Sequence, residues 1–496
     1  MNATAVEDRL QRPDADQGAD RATSLTPAPG DRRRLGAALA IPAAFLVWVA
    51  AARFLNGRGG IDLPHFDQGL WLASRGRGPA STVFGEGLLD DHFGPAILVF
   101  APLYRLVATP LWLITAQVAA AWFAVWQIAG RLSPSLGWKR AAAVAAALLL
   151  SPPVASALLW DVHSVAFAVP FALAAVFAIQ EDRPWRALAF GLVAAMFRAD
   201  VAYGVLVAFL LLPGLSRRRL RPAVLLLAYV GLATFLEMHL GGHGAAGAWA
   251  GYYSRLGTSP VDALAHPWRF VTVLASPSTI AKALPWMAVG GFLCVGRPRL
   301  MLPGIAAGLT TLLSNWPGTS YWGFHYGIAP AVLLAVAWVP VLRRRPERVT
   351  LVLGGVLILS LLGSPFTPVP VIDTGNARAI SFFDPDTDAR CIAQGIPDGA
   401  GVSAAIAPAT FLAHRETLFY WPYPFEGAPK FPSLQDARPD RALRVDYIIR
   451  PSDDRRAVPD GFEADGATAR YVRYRRVATT APAAPTCASE ASDSGR

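Results

Sequence analysis

Long apolar segments without any charged residue constrain the fold of this chain most strongly. Such runs cover 141–159, 164–180, 223–236 and 349–364. Because about 20 apolar residues cross a bilayer as a helix, each run predicts a transmembrane helix. Only 16% of the 496 residues are charged, whereas soluble domains carry about a quarter. The sequence therefore predicts an all-α polytopic membrane protein.

The net charge of +10 resides largely in short basic clusters at 32–34, 217–221 and 343–348. Cytoplasmic loops of membrane proteins are enriched in Lys and Arg, so these clusters indicate topology and not nucleic-acid binding. Residues 1–31 mix acidic and basic side chains and lack the order of regions that a signal peptide requires. We expect a disordered cytoplasmic tail over 1–34.

The predicted spans begin at 35–55 and continue through 110–130, 141–159, 164–180, 222–240, 283–297, 300–315, 325–342 and 349–364, with short helices at 64–74 and 93–107. Segment 187–213 decides their direction. It is either a single crossing or a re-entrant hairpin with Arg198 and Asp200 at its apex. The hairpin is favoured, because a charge in lipid costs about 2.5–3.5 kcal/mol. About ten spans follow, with the N-terminus cytoplasmic and the plasma membrane as the location.

Beyond the membrane domain, 35–365, the composition becomes mixed, and 366–477 predicts a small extracytoplasmic α/β domain. Strands are expected at 402–406, 418–421, 445–449 and 471–477, and helices at 387–394 and 409–414. Residues 478–496 are rich in Ala, Pro and Ser and are predicted to be disordered. Cys391 and Cys487 could pair outside the membrane, whereas Cys294 lies in an apolar span.

The loop 56–95 concentrates carboxylates and imidazoles. Asp62 either stabilises the start of a helix, at about 0.3–1 kcal/mol, or acts as a general base that deprotonates an acceptor hydroxyl. Asp67, five residues after Asp62, points about 140° away from it around a helix. It is expected to be solvated or bonded to a neighbouring loop. Asp91 with His92 either caps the next short helix or contributes to a site.

A second polar group is Trp160-Asp161-Val-His163, in a short turn between two spans. Turn chemistry explains Asp161, but an adjacent Trp160 and His163 are harder to explain in this way. Asp161 and His163, together with Asp91 and His92, could bind a divalent metal, although no spacing rule requires it. No cofactor is assigned.

Two further features lie later in the chain. Arg198 with Asp200 is either a self-neutralising structural pair or a clamp in which the guanidinium binds a phosphate. The aromatic loop 315–326 with His325 and Tyr326 is either an interfacial belt or a stacking surface for a sugar. His414, in the predicted C-terminal domain, is expected to be an ordinary surface residue.

Several of these blocks resemble one family of bacterial membrane proteins, called domain of unknown function 2079. They are Asp62-Leu-Pro-His-Phe-Asp67-Gln-Gly-Leu-Trp71, Asp91-His92-Phe93-Gly-Pro95, Trp160-Asp161-Val-His163 and Phe324-His325-Tyr326. The resemblance covers about 60–450 of this chain. The sequence departs from the family pattern at Arg198-Ala199-Asp200, where the family has Lys-Glu-Asp.

The resemblance implies an architecture similar to that of GT-C glycosyltransferases, which use polyprenyl-phosphate sugars. It then implies Asp62 as the base, with Asp91 and Asp161 positioning an acceptor or metal and with Arg198 and His325 near the donor phosphate. The expected partners are the bilayer, a polyprenyl-phosphate sugar and an extracytoplasmic acceptor. A transporter or lipid flippase and a non-catalytic scaffold are the alternatives.

Overall fold

The computed structural model describes residues 29–60, 62–84, 87–89, 92–212, 217–240, 249, 251–321, 324–367, 385–427, 434 and 436–477. Asp91, Cys487 and both predicted disordered tails lie outside this range, apart from 29–34. The helices of the N-terminal three quarters are α1 (Pro29–Leu55), α2 (Asp62–Ser74), α3 (Ala101–Leu106), α4 (Leu111–Leu150), α5 (Pro152–Trp160), α6 (Ser164–Gln180), α7 (Pro184–Phe197), α8 (Ala202–Leu211), α9 (Arg217–Leu240), α10 (Pro260–Ala265), α11 (Trp268–Leu274), α12 (Pro277–Ala288), α13 (Pro298–Ala307), α14 (Leu309–Leu313), α15 (Ile328–Arg344) and α16 (Val349–Gly363).

Among the described residues, five helical segments are long and apolar enough to cross a membrane. They contain α1, α4, α9, α15 and α16, and shorter apolar helices such as α6 and α7 pack beside them. Helix α15 is buried on nearly all sides, whereas α1 and α16 expose apolar side chains such as Ile41 and Leu361. Exposed apolar faces around a buried helix are expected where lipid surrounds a bundle. The protein is a multi-pass membrane protein.

Breaks within the bundle shorten several predicted spans. Helix α4 runs from Leu111 to Leu150 and covers both predicted spans 110–130 and 141–159 in part. It is interrupted at Gly137, whose φ of 74° lies in the left-handed region that glycine adopts without strain. A further break at Ser151 separates α5, with two prolines at its start. The predicted span 283–297 ends early as α12, because the chain turns at Gly291 and Phe292.

Two short helices joined by a turn occupy segment 187–213, as the predicted hairpin requires. Helices α7 and α8 are separated at Arg198, which has an extended backbone. A Cβ on Gly191 of α7 would lie 3.3 Å from the side chain of Val205 in α8. Along one continuous helix these positions would be about 21 Å apart. The chain therefore folds back, and Arg198 and Asp200 lie at the turn.

The C-terminal domain, the described residues between 385 and 477, contains a sheet of five strands: β1 (Val402–Ala404), β2 (Leu418–Tyr420), β3 (Tyr447–Pro451), β4 (Phe462–Ala467) and β5 (Tyr471–Arg476). Their order in the sheet is β2-β1-β3-β5-β4. The strands β1, β2 and β3 are parallel, and β5 pairs antiparallel with β3 and β4. The helix predicted over 409–414 is wrong in its bounds, since the helix in this region spans Ile406–Thr410. The helices of the domain are α17 (Thr387–Ala393), α18 (Ile406–Thr410) and α19 (Pro439–Ala442).

This domain packs against the loop that follows α2. Val83 and Phe84 are buried in the two apolar clusters of the domain. Thr82 Oγ1 donates to Leu418 O and accepts from Leu418 N–H, both at 2.8 Å. Cys391 is disulfide-bonded and Cys294 is a free, buried thiol. The segment after α2 therefore joins the domain to the bundle.

Candidate functional site

The turn between α5 and α6 is fixed by one buried amide. Gln117, on α4, donates from Nε2 to the carbonyl oxygens of Leu158 at 3.1 Å and Asp161 at 3.0 Å. Its Oε1 accepts a hydrogen bond from the backbone N–H of His163 at 3.4 Å. Buried backbone groups need hydrogen-bond partners. Gln117 is the partner of three such groups in this turn. The orientation of Asp161 and His163 thus depends on a polar residue inside an apolar helix.

A buried cation supports the same turn from the other side. Arg53, in the last turn of α1, donates from Nη1 to Leu159 O at 2.6 Å and from Nε to Arg58 O. Its guanidinium lies over the Trp160 ring, 5.1 Å from the ring centroid. It also interacts electrostatically with Asp161. Trp160 therefore has a structural role, because its ring packs against the Arg53 guanidinium. The sequence did not predict this contact.

Asp62, Asp161 and His163 meet at the start of α2. Asp161 Oδ2 accepts a hydrogen bond from Asp62 N–H at 2.9 Å, and its Oδ1 accepts from Val162 N–H at 3.0 Å. His163 Nε2 lies 3.1 Å from Asp62 Oδ2. A carboxylate oxygen only accepts, so this contact places the proton on Nε2. The geometry forms a carboxylate–imidazole pair beside a buried second carboxylate.

Burial, and secondly the negative charge of Asp62, raise the pKa of the Asp161 carboxyl to about 7. His163 and Arg53 act in the opposite direction. A Cβ on Gly60 would lie 2.3 Å from Asp161 Oδ2. Glycine at this position lets the chain approach the carboxyl closely. Asp161 thus serves as a buried anchor for backbone N–H groups.

His325 extends the site toward the start of α15. Its ring stacks on His163 with centroids 3.6 Å apart and an interplanar angle of 24°. The Nδ1 atoms of both rings are buried, and neither has a hydrogen-bond partner among the described residues. The Tyr326 ring is 4.0 Å from that of His325. Two such nitrogens are atoms that a bound ligand could satisfy.

Arg198 and Asp200 form the other side of this region. Arg198 Nε donates to Asp200 Oδ1 at 3.1 Å, and Thr310 Oγ1 donates to Asp200 Oδ2 at 3.1 Å. His92 Nδ1 lies 3.2 Å from Glu237 Oε1. His163, Arg198 and His92 are all close enough to His325 to interact with it electrostatically. The predicted ion pair is confirmed, and its guanidinium interacts electrostatically with His325.

The remaining predicted residues are distributed differently. Asp67 is not solvated: it is 3% exposed, and its Oδ1 accepts from His414 Nε2 at 3.1 Å. The expectation of His414 as an ordinary surface residue is therefore wrong. Asp91 lies outside the described residues. The grouping of Asp161, His163 and His92 around a metal is not found, since no described set of three or more His, Cys, Asp or Glu side chains could hold one.

Gln117 and Arg53 are the functional-site residues that sequence reasoning missed. Each is a polar residue within or at the end of an apolar helix, and such residues are functional candidates by default. That signal was present in the sequence. The pairing of His92 with Glu237 had no local signal, because the two are 145 residues apart.

Together, the bundle and this site define a multi-pass helical membrane protein with a carboxylate–imidazole cluster and the Arg198–Asp200 ion pair. The chain belongs to the family described as "Predicted membrane protein (DUF2079)", whose family model matches residues 58–456.

One solved structure is similar to this chain, the crystal structure of ArnT from Cupriavidus metallidurans bound to undecaprenyl phosphate. The match has 13% sequence identity and a TM-score of 0.49, over 88% of this chain and 98% of that chain. A similarity at this level does not establish a shared fold or activity. No curated protein matches the chain. The GT-C-like architecture stays a prediction.

Proposed function

We propose that this protein transfers a sugar from a polyprenyl-phosphate donor to an acceptor on the extracytoplasmic side of the membrane. The observation that carries the proposal is the joint position of Asp62, His163 and His325. A partly exposed carboxylate, a bonded imidazole and a second stacked imidazole come from three separate parts of the chain. Such a group can accept a proton from a hydroxyl and contact an anionic leaving group.

Asp62 is the proposed general base. Its side chain is 28% exposed, so an acceptor hydroxyl can reach it, and His163 orients its Oδ2. Deprotonating the acceptor hydroxyl increases its nucleophilicity at the anomeric carbon as the glycosidic bond to phosphate breaks. The acceptor proton goes to Asp62, and the bond electrons leave with the lipid phosphate.

Arg198, His325 and His92 are the proposed contacts of that phosphate. Arg198 is 14% exposed, and Asp200 holds its Nε edge. A guanidinium with one edge fixed presents a defined face to an anion. The stacked imidazoles add hydrogen-bonding nitrogens beside it. This arrangement supports a lipid-phosphate leaving group, which a transferase of this kind needs in place of a nucleotide site.

The proposal is tested by mass spectrometry of lipids that co-purify with the wild-type protein, with Asp62→Asn and with the control Asp398→Asn, whose side chain is exposed. We expect a polyprenyl-phosphate sugar enriched on Asp62→Asn and depleted on the other two proteins. The base assignment is wrong if Asp62→Asn transfers sugar at the wild-type rate. The donor assignment is wrong if none of the three folded proteins carries such a lipid.

A further inference from the structure

Helix α2 is held at two places by different parts of the protein. At its first residue, Asp62 contacts the membrane bundle through Asp161 and His163. Five residues later, Asp67 contacts the C-terminal domain through His414. Because a helix rises about 1.5 Å per residue, the two attachment points are only about 7.5 Å apart along its axis. A short rigid element therefore connects the domain to the proposed base.

Three side chains on the middle of α2 contact the C-terminal domain. Asp67 Oδ1 accepts from His414 Nε2 at 3.1 Å, and the Trp71 ring stacks on the His414 ring with an interplanar angle of 9°. Gln68 Nε2 donates to Arg415 O at 3.0 Å. The Asp67 side chain is 4% exposed and Gln68 is fully buried. These contacts are an enclosed interface and not a surface encounter.

The segment that provides these contacts is itself fixed within the C-terminal domain. Arg415 is 4% exposed, and its guanidinium donates to Leu412 O at 2.8 Å and Ala400 O at 2.9 Å. The segment leads directly into β2, which pairs with β1. His414 and the carbonyl of Arg415 are thus presented from a rigid part of the sheet.

We infer that the C-terminal domain positions Asp62, and that His414 and Gln68 are positioning residues acting through α2. This inference rests on the proposed function, in which Asp62 is the base. The contact between Asp62 and His163 has little tolerance, since a displacement of about 1 Å can reduce a rate by about 100-fold. Without His414, α2 would lose the hydrogen bond to Asp67 and the ring contact to Trp71, and Gln68 alone of these three side chains would still hold it to the domain. The domain is then a structural part of the active site.

The test compares His414→Leu, which removes the donor, with His414→Gln, whose amide can still donate to Asp67. The matched control is Glu416→Gln, which breaks the exposed ion pair with Arg77 at 3.1 Å across the same interface. Two quantities are measured on each full-length protein. One is amide hydrogen exchange in peptides from α2 and β3, and the other is kcat and KM for sugar transfer.

We expect His414→Leu to increase exchange in α2 several-fold, to leave β3 protected, and to lower kcat about tenfold with KM unchanged, within the range that misplacement produces. His414→Gln should retain most of the wild-type protection of α2 and most of the wild-type kcat. Glu416→Gln should match wild type in both quantities. Equal α2 exchange in His414→Leu and Glu416→Gln would overturn the inference, as would faster exchange with unchanged kcat. If wild-type protein shows no transfer, the proposed function fails, and the exchange comparison still decides whether the domain holds α2.

Discussion

Replacing Asp161 with Asn should remove a pH dependence of folding stability. Burial raises the pKa of the Asp161 carboxyl to about 7 in the folded protein, whereas an unfolded Asp ionises near about 3.9. Between these two values the folded chain binds a proton that the unfolded chain has released. Stability therefore falls as pH rises from about 4 through about 7, and the change due to this group is complete about one pH unit above 7.

The size of this effect follows from the same two pKa values. One proton of difference changes the free energy of unfolding by about 1.4 kcal/mol per pH unit. Over the accessible interval from pH 5 to 7, the wild-type protein should lose about 2–3 kcal/mol relative to Asp161→Asn. The substitution also removes an acceptor for one backbone N–H, but that loss is a constant offset and leaves the slope unaffected.

The assay is chemical denaturation in detergent micelles, followed by fluorescence of the 15 tryptophans, in steps from pH 5 to 8. The stability difference between wild type and Asp161→Asn is plotted against pH. A flat difference would refute the reasoning, because Asp161 would then ionise in the folded protein as it does in the unfolded chain. In Asp62→Asn the slope should persist with a lower midpoint, since burial is the larger cause and the charge of Asp62 the second.

Three further substitutions test contacts around the turn and the bundle. Gln117→Leu leaves three backbone groups unpaired and should cost about 3–5 kcal/mol of unfolding free energy; denaturation at pH 8 measures it, and a loss under 1 kcal/mol contradicts the role as a clamp. Gly60→Ala places a Cβ 2.3 Å from Asp161 Oδ2 and should cost about 1–3 kcal/mol and lower sugar transfer; wild-type values of both would count against the close approach. Lys282→Met leaves the Ser314 carbonyl without its 2.6 Å donor and should cost about 1–3 kcal/mol. Burial lowers the pKa of Lys282 to about 8, so the pH slope between 5 and 7 should be unchanged, and an altered slope in that interval would be the contrary result.

The parts of the fold that follow from local physics could be predicted from the sequence. The charge-free runs predict the helices of the bundle, and the cost of charge in lipid predicts the turn at Arg198. The sheet strands β1, β2, β3 and β5 are close to their predicted positions. Strand β4 was missed because Phe462–Ala467 is an edge strand composed, after Phe462, only of Glu, Ala, Asp and Gly, which are depleted in strands. Its pairing with β5 stabilises the extended conformation that its own residues do not favour.

The candidate site was only half predictable. The sequence identifies four candidate site residues, Asp62, Asp161, His163 and His325. It does not predict that the rings of His163 and His325 stack on each other. The contact between Asp67 and His414 joins residues that are 347 positions apart. No periodicity or motif in one sequence reports a pairing over that separation. Long-range packing determines it, and it is the contact that brings the C-terminal domain to α2.

The structure distinguishes the two carboxylates that could act as the base. Asp161 is 6% exposed, and each of its oxygens already accepts a backbone N–H, so its burial restricts the approach of a substrate hydroxyl. Asp62 is more exposed and bonds His163 through Oδ2 alone, with no described residue donating to its Oδ1. A base needs an oxygen within hydrogen-bond reach of the proton it removes. Asp62 meets that requirement, and Asp161 holds it in place.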